Sequence, residues 1–216
     1  MKVLATISRW RLRKNIQRLF PDFRKEILDG FLANFGYAMP LSLLAKIEMI
    51  CKQIKPNLVI EFGSGLSTAV ITDSLSGSES FLISIDESMK WLANSYELVI
   101  NTSRVAFICL PDNGGIKHSA LPKYLLAKVK PELVIIDGPS RAGRFSEPAC
   151  KVYNGLISPD CICIVDDTDR VENDSGAREL AGKFSLRKVD YGDEIYAKHQ
   201  YSILFPEHFD EDALSK

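Results

Sequence analysis

The chain has 216 residues and a formal net charge of −1 at pH 7; 46% of its residues are hydrophobic and 25% are charged. This length suits one domain of ordinary size, and the composition is that of a soluble globular protein. The near-zero charge gives no overall electrostatic attraction to nucleic acid, and no apolar run reaches the roughly 20 residues of a membrane-spanning helix.

The first 56 residues are predicted to form helices. Residues 1–20 carry six basic side chains and no acidic one. Their apolar residues fall on two nearly opposite helical faces, whereas a helix on a membrane surface would keep one stripe. Two short helices, or a helix packed in a homodimer, explain this better than contact with an anionic membrane surface, which stays the alternative. Apolar residues then recur at helical spacing over 27–35 and 40–54, before Pro56.

From residue 57 onward, strands alternate with helices, which is the βαβ rhythm of an open, doubly wound parallel sheet. Helical patterns lie near 66–76, 88–100, 118–130 and 144–157. Each predicted strand is an apolar run, and four of the five end in or beside an acidic residue. These strands are Asn57–Phe62, Phe81–Asp86, Val105–Leu110, Leu133–Asp137 and Cys161–Asp166.

Two late segments predict the last pair of strands. Phe184–Tyr191 and Ile195–Phe205 are separated by residues 192–194 only. Because parallel strands need a crossover of about a dozen residues, this pair must be antiparallel. The predicted fold class is therefore α/β, with a doubly wound, seven-stranded, mostly parallel sheet, an antiparallel last strand and additional N-terminal helices.

The turn after the first strand is the most informative functional feature. Glu61 lies near the end of the strand, and Gly63 and Gly65 allow a tight turn and close approach to a ligand. Ser67 and Thr68 open a helix whose free N–H groups can bind an anion. Because the charge of Glu61 disfavours a pyrophosphate, a ligand with both a cation and a carboxylate suits this turn better than a dinucleotide.

Acidic residues also follow the other strands of the predicted parallel sheet. Ligands of open α/β sheets bind outside the carboxyl ends of the strands, so these positions indicate one shared site. The acidic residues are Glu61, Asp86, Asp112, Asp137, Asp166 and Asp167.

These motifs resemble those of Rossmann-like, class I S-adenosylmethionine (SAM)-dependent methyltransferases over about residues 57–205. The Gly-Ser-Gly-Leu-Ser-Thr loop looks like that of a small-molecule and sugar-type subgroup, although the family usually has a third glycine near Ser67. The resemblance rests on Glu-Phe-Gly-Ser-Gly at 61–65, Ser-Ile-Asp-Glu at 84–87, Val-Ile-Ile-Asp-Gly-Pro at 134–139 and the closing antiparallel strand.

The resemblance implies O-methylation of a small molecule or of a sugar or glycan precursor. It also implies a SAM-binding domain at 57–216, preceded by a helical extension at 1–56. The implied cofactor-binding residues are Glu61, Gly63, Ser64, Gly65, Ser67, Thr68, Asp86, Glu87 and Asp112.

In this assignment the glycine turn holds the methionyl end of the cofactor. Asp86 accepts hydrogen bonds from both ribose hydroxyls, Glu87 or Ser88 borders the adenine, and Asp112 accepts from the adenine amino group. Structural roles stay open for two of them: Asp86 as the N-cap of the next helix and Asp112 as a turn residue.

A metal is the second implied cofactor. Asp137 and the pair Asp166–Asp167 look like the divalent-metal triad of the catechol O-methyltransferase-like group, which has Asp-Asn where this chain has Asp-Asp. Mg²⁺ held there would orient the acceptor hydroxyl and lower its pKa. The alternative is that Asp137 lines the cofactor pocket and Asp167 starts a turn. Without a metal, His118 is the candidate base, against an incidental loop histidine, so the catalytic candidates are Asp137, Asp167 and His118.

Four more polar residues receive lesser roles. His199 and His208 are interpreted as structural or solvated residues of the closing hairpin and the tail. Arg141 and Arg144 follow the fourth strand and would clamp an anionic group of the acceptor. Plain surface solvation is the favoured interpretation of both arginines.

Two other functions stay open. A nicotinamide-dependent oxidoreductase needs a small residue where Thr68 stands and would not place Glu61 before the loop. A non-catalytic, cofactor-binding scaffold would keep Asp86 and the glycine turn without an acceptor pocket. The five cysteines form no Cys-x-x-Cys pair, which indicates buried thiols in a reducing compartment, so we expect a cytoplasmic protein. The near-zero net charge predicts no nucleic-acid partner.

Overall fold

A computed structural model describes most of the chain. Asp112, His118 and Arg141, together with most of the predicted helix at 118–130 and of the basic segment, lie outside the described residues. Among the residues that are described, no helix is long and apolar enough to cross a membrane. The structure describes residues 14, 16–18, 20–21, 23–34, 38–110, 130–139, 143–192 and 199–211.

Seven strands form one sheet, and six helices of eight or more residues accompany it in the described part of the chain. The strands are β1 (Leu58–Phe62), β2 (Phe81–Asp86), β3 (Val105–Cys109), β4 (Leu133–Ile136), β5 (Ile162–Val165), β6 (Leu186–Gly192) and β7 (Gln200–Pro206). The helices are α1 (Lys25–Ala33), α2 (Leu41–Ile54), α3 (Leu66–Ser74), α4 (Met89–Leu98), α5 (Glu147–Leu156) and α6 (Val171–Phe184).

The sheet has the strand order β3-β2-β1-β4-β5-β7-β6. The first five strands pair in parallel, and β7 is antiparallel to both of its neighbours, β5 and β6. This is the doubly wound order 3-2-1-4-5-6 with a seventh strand inserted before the sixth. The predicted seven-stranded, mostly parallel sheet with an antiparallel last strand is confirmed.

Helix α6 is absent from the sequence-based prediction, which began the sixth strand at Phe184, the last residue of this helix. Since β6 runs parallel to β5, a crossover between them is required. The buried residues Ala177, Leu180 and Ala181 have helical spacing. The segment is otherwise polar, and its first apolar residue, Val171, is 80% exposed, which hides the pattern.

Apolar side chains cover both faces of the sheet. Successive strand residues such as Val59 and Ile60 belong to two separate clusters, because neighbouring side chains point to opposite faces. Helices α1, α2 and α3 pack in the first cluster, and α5 and α6 pack in the second. The N-terminal helices therefore share a core with the sheet, while the domain boundary at residues 56–57 stays a prediction.

The turns after β1 and β4 meet through two glycines. The carbonyl oxygen of Phe62 accepts hydrogen bonds from the backbone N–H groups of Asp137 (2.8 Å) and Gly138 (2.7 Å). A Cβ atom on Gly138 would lie 2.9 Å from Gly63 Cα, and one on Gly63 would lie 2.7 Å from Gly138 N. Gly63 also has φ +97°, a conformation that favours glycine. Neither position therefore accepts a side chain without movement of the backbone.

We expect Gly138→Ala to lower the free energy of unfolding by about 1–3 kcal/mol, because the new methyl group overpacks the contact with Gly63. The matched control is Gly182→Ala, on the exposed side of α6, where a Cβ meets no atom within 4 Å. That variant should gain about 0.4–1 kcal/mol. Urea denaturation of both variants measures the difference, and equal stability of the two would contradict the proposed close contact.

Candidate functional site

A cavity of about 1020 Å³ opens at the carboxyl ends of β1, β2, β4 and β5. It lies where the strand order reverses between β1 and β4, the usual ligand position in an open α/β sheet. The glycine turn after β1, the start of α4 and the turns after β4 and β5 line it, and Asn34 and Met39 of the α1–α2 region reach its rim. The predicted site residues that line it are Gly63, Ser64, Gly65, Ser67, Asp86, Glu87, Asp137, Asp166 and Asp167.

Glu61 lies beneath the glycine turn and is fully buried. Its Oε2 accepts hydrogen bonds from Thr68 Oγ1 (2.6 Å) and Ser84 Oγ (2.7 Å). Thr68 Oγ1 in turn accepts a bond from the Gly65 N–H (3.1 Å). The Glu61 carboxylate and the Thr68 hydroxyl therefore brace the start of α3 from below instead of lining the cavity.

The second oxygen of Glu61, Oε1, is buried and has no hydrogen-bond partner among the described residues. Burial raises the pKa of Glu61 from 4.5 to about 7, against the opposing effect of the hydroxyl donors. Burial disfavours the charged form of Glu61, and none of the groups that shift this pKa is a cation that would offset the effect.

Asp86 ties together the turns that follow β1 and β2. Its Oδ2 accepts from the Ser64 N–H (2.7 Å), and its Oδ1 accepts from the Ser88 N–H (2.6 Å). Each oxygen keeps a second lone pair, so these bonds leave acceptor capacity for hydroxyl groups of a ligand. Burial raises the pKa of Asp86, and the two backbone bonds oppose the shift. The N-cap of α4 is Ser88, whose hydroxyl accepts from the Trp91 N–H, so Asp86 supports the cap without being it.

Across the cavity, two carboxylates and two backbone carbonyls converge on one guanidinium. Arg144 Nη2 lies 3.3 Å from both Asp137 Oδ1 and Asp167 Oδ2. Its Nη1 donates to the backbone carbonyl of Asp166 (2.8 Å), and Nη2 also donates to the backbone carbonyl of Asp137. Arg144 is 3% exposed, so its interpretation as a solvated surface residue is wrong.

His199 extends this ionic cluster and lines the cavity. Its Nε2 lies 2.7 Å from Asp166 Oδ1 and its Nδ1 lies 3.6 Å from Asp167 Oδ1. The interpretation of His199 as merely structural or solvated therefore missed a residue of the site. Because β7 is antiparallel, its amino end lies beside the carboxyl end of β5, and this topology was the available signal.

Burial and mutual repulsion shift the acids of this cluster. Burial raises the pKa of Asp137 well above its usual range, and the nearby Asp166 adds to the shift, while Arg144 opposes it. The pKa of Asp167 is also raised, chiefly by burial. For His199, burial lowers the pKa, but the bond to Asp166 and the neighbouring carboxylates outweigh it, so the pKa is raised overall.

Sequence reasoning also missed the first turns of α4, where Lys90, Trp91 and Asn94 line the cavity wall next to Asp86. No motif marks these positions. Their only signal is that they follow the acidic end of the second strand on a helix that starts at the same edge of the sheet.

The predicted Mg²⁺ triad does not fit the observed arrangement. Mg²⁺ demands near-octahedral oxygen ligands, but Asp137 and Asp167 are engaged by Arg144, and Arg170 Nη1 lies 3.2 Å from Asp167 Oδ2. A different set, Asp166, Asp167 and His199, offers three ligand atoms within 4.8 Å of one another. That set includes a histidine nitrogen and excludes Asp137.

No protein-family model matches this chain, and no curated protein matches it either. Solved structures do share its fold. The O-methyltransferase of Bacillus cereus in complex with S-adenosylhomocysteine (SAH) has a TM-score of 0.64 at 11% identity, covering 90% of this chain and 97% of that one. The O-methyltransferase TomG of Streptomyces achromogenes, involved in tomaymycin synthesis and in complex with SAM, has a TM-score of 0.59 at 10% identity, covering 90% and 96%.

The SAH-bound methyltransferase PaMTH1 of Podospora anserina has a TM-score of 0.58 at 14% identity and covers 91% of this chain and 94% of that one. At such identities the likeness establishes the fold. The chain therefore shares the Rossmann-like α/β fold of these solved methyltransferases, as its sequence predicts.

The raised pKa of Glu61 predicts a pH-dependent stability. Between pH 4.5 and about 7 the folded chain holds a proton that the unfolded chain has lost, so rising pH lowers the free energy of unfolding. The slope from this one group reaches at most about 1.4 kcal/mol per pH unit. Glu61→Gln, whose amide oxygen can still accept from Thr68 and Ser84, should flatten the decline, whereas Glu97→Gln on the exposed side of α4 should not. Identical slopes for wild type and Glu61→Gln in chemical denaturation would contradict the shift.

Proposed function

We propose that this chain is a SAM-dependent methyltransferase that methylates an oxygen atom of a small molecule or of a sugar or glycan precursor. The single observation that carries the proposal is the composition of the cavity. One wall holds the glycine turn and Asp86, which suit the cofactor, and the opposite wall holds ionisable side chains that suit an acceptor hydroxyl. A scaffold that only binds the cofactor has no need of the second wall.

The cofactor wall matches the chemistry of SAM. The amino end of α3 presents backbone N–H groups beside Ser67, which suits the cofactor carboxylate. The remaining lone pairs of Asp86 suit the two ribose hydroxyls. Ile85 and Trp91, which line the same wall, add apolar surface for a flat base. Glu61 acts indirectly in this proposal, by holding the turn in place.

The acceptor wall supplies groups for alignment and proton removal. In the transfer, the acceptor oxygen forms a bond to the methyl carbon as the bond from that carbon to the sulfonium sulfur breaks, and SAH leaves. The acceptor hydroxyl gives up its proton to a side chain of the enzyme. Positioning of the two reactants provides most of the acceleration in such a displacement.

We assign the proton acceptor to Asp137. Its side chain is 29% exposed, compared with 17% for Asp167, and it lines the cavity. Burial and the nearby Asp166 raise its pKa, so its carboxylate is a stronger base than that of an ordinary aspartate. Asp167 contributes by holding Arg144, and His118 stays a second candidate base outside the described residues.

Loss of the Asp86 carboxylate should abolish SAM binding. In isothermal titration calorimetry we expect Asp86→Ala to weaken the affinity at least about 100-fold, because two hydrogen bonds to a charged group are lost at about 1.5–3 kcal/mol each. Asp86→Asn tests the charge without removing the bulk, and Glu97→Ala, an exposed acid of α4, is the matched control. Unchanged affinity in a folded Asp86→Ala protein would refute the assignment of this wall to the cofactor.

The alternative functions predict different ligands and products. Titration with NAD in place of SAM should give no heat of binding, and NAD binding without SAM binding would favour the oxidoreductase. Incubation with SAM and a metabolite extract should yield SAH and one metabolite heavier by a methylene unit, read by mass spectrometry. SAM binding without any SAH formation would favour the scaffold.

A further inference from the structure

The guanidinium of Arg144 is held by the ends of two neighbouring strands. Arg144 lies in the turn between β4 and α5, and its side chain returns to the sheet edge. It donates to the backbone carbonyl of Asp137, directly after β4, and to that of Asp166, directly after β5 (2.8 Å). Because peptide carbonyls at strand ends are fixed by the sheet, the position of this cation is set by the fold and not by a flexible surface contact.

The same group lies between two carboxylates. Arg144 Nη2 is 3.3 Å from Asp137 Oδ1 and 3.3 Å from Asp167 Oδ2. Carboxylates that converge from neighbouring strands are the usual donors for a hard divalent cation. Here a nitrogen of the chain itself occupies the place between them, and its side chain is 4% exposed, so solvent screens the interaction little.

The charges of the cluster are nearly balanced without an ion. When ionised, the carboxylates of Asp137, Asp166 and Asp167 carry three negative charges. The guanidinium groups of Arg144 and Arg170 carry two positive ones, and protonated His199 adds a third. A divalent cation at the same place would make the net charge positive. It would also have to displace Arg144 from two carbonyls and two carboxylates, which leaves a buried guanidinium unpaired.

We propose that Arg144 serves as a built-in cation in place of the divalent metal, so that the acceptor wall of this site functions without a bound metal ion. The catalytic meaning of this statement rests on the proposed methyltransferase function. Its structural content, that the carboxylates of Asp137 and Asp167 are paired with an internal guanidinium, does not depend on that function.

Direct metal titration of the whole 216-residue chain tests the proposal. We expect electron paramagnetic resonance with Mn²⁺ to show no site tighter than about 1 mM, the weak end of protein sites for such cations. Calorimetry with Mg²⁺ should give the same result. One bound Mn²⁺ per chain at micromolar affinity, lost in Asp137→Asn or Asp167→Asn, would overturn the proposal.

Removal of the internal cation should create the missing metal site. In Arg144→Ala the uncompensated carboxylates should bind one Mn²⁺ at least about tenfold more tightly than the wild type does, and Arg144→Lys, which keeps a positive charge, should gain less. A folded Arg144→Ala protein that gains no affinity would contradict the role given to Arg144. If this variant does not fold, the Mn²⁺ titration of the wild type still tests whether the acceptor wall binds a metal ion.

Activity provides a separate measurement. Methyl transfer should be unchanged by EDTA and by added Mg²⁺, and a loss on chelation that Mg²⁺ reverses would overturn the proposal. A protein that binds neither SAM nor Mn²⁺ would refute the methyltransferase function while leaving the internal cation intact, so the two failures are distinguishable.

Discussion

The carbonyl oxygen of Phe62 is the point on which the site depends. It accepts hydrogen bonds from the N–H groups of both Asp137 and Gly138, and this is feasible because Gly63 and Gly138 bring two backbones into direct contact. The turn that suits the cofactor and the turn that carries the acceptor-side acids are therefore joined without an intervening side chain. Their separation is set by peptide geometry, which is what a reaction governed by alignment requires.

Buried carboxylates have different partners on the two sides of this contact. Beneath the glycine turn, Glu61 accepts hydrogen bonds from hydroxyl groups, and burial raises its pKa to about 7. On the other side, burial also raises the pKa of Asp137 and of Asp167, but both carboxylates lie against the guanidinium of Arg144, which opposes the shift. Hydroxyl donors therefore support one turn, and a salt-bridged cluster supports the other.

Local patterns were sufficient to predict the strands, the glycine turn and the acids at the strand ends. The apolar runs are short and continuous because both faces of the parallel sheet are covered, and this property is visible in the residues themselves. The roles of Arg144 and His199 could not be predicted in this way. The side chain of Arg144 reaches the site by folding back from the turn before α5. His199 reaches it because β7 is inserted beside β5, which brings the amino end of β7 to the site. Helix α6 was missed for a different reason, since its polar surface hides a narrow buried stripe.

The insertion of β7 also has a consequence for biosynthesis. A nascent chain that has emerged only as far as β6 has an unpaired edge on β5, because the strand that belongs there comes later in the sequence. Open strand edges invite pairing with other chains, so this intermediate needs protection during translation. His199 arrives immediately ahead of β7, and the last strand therefore completes the sheet and the ionic cluster in the same step. A chain truncated before His199 would lack both β7 and the histidine of the ionic cluster. A chain with a complete sheet therefore also has the complete cluster.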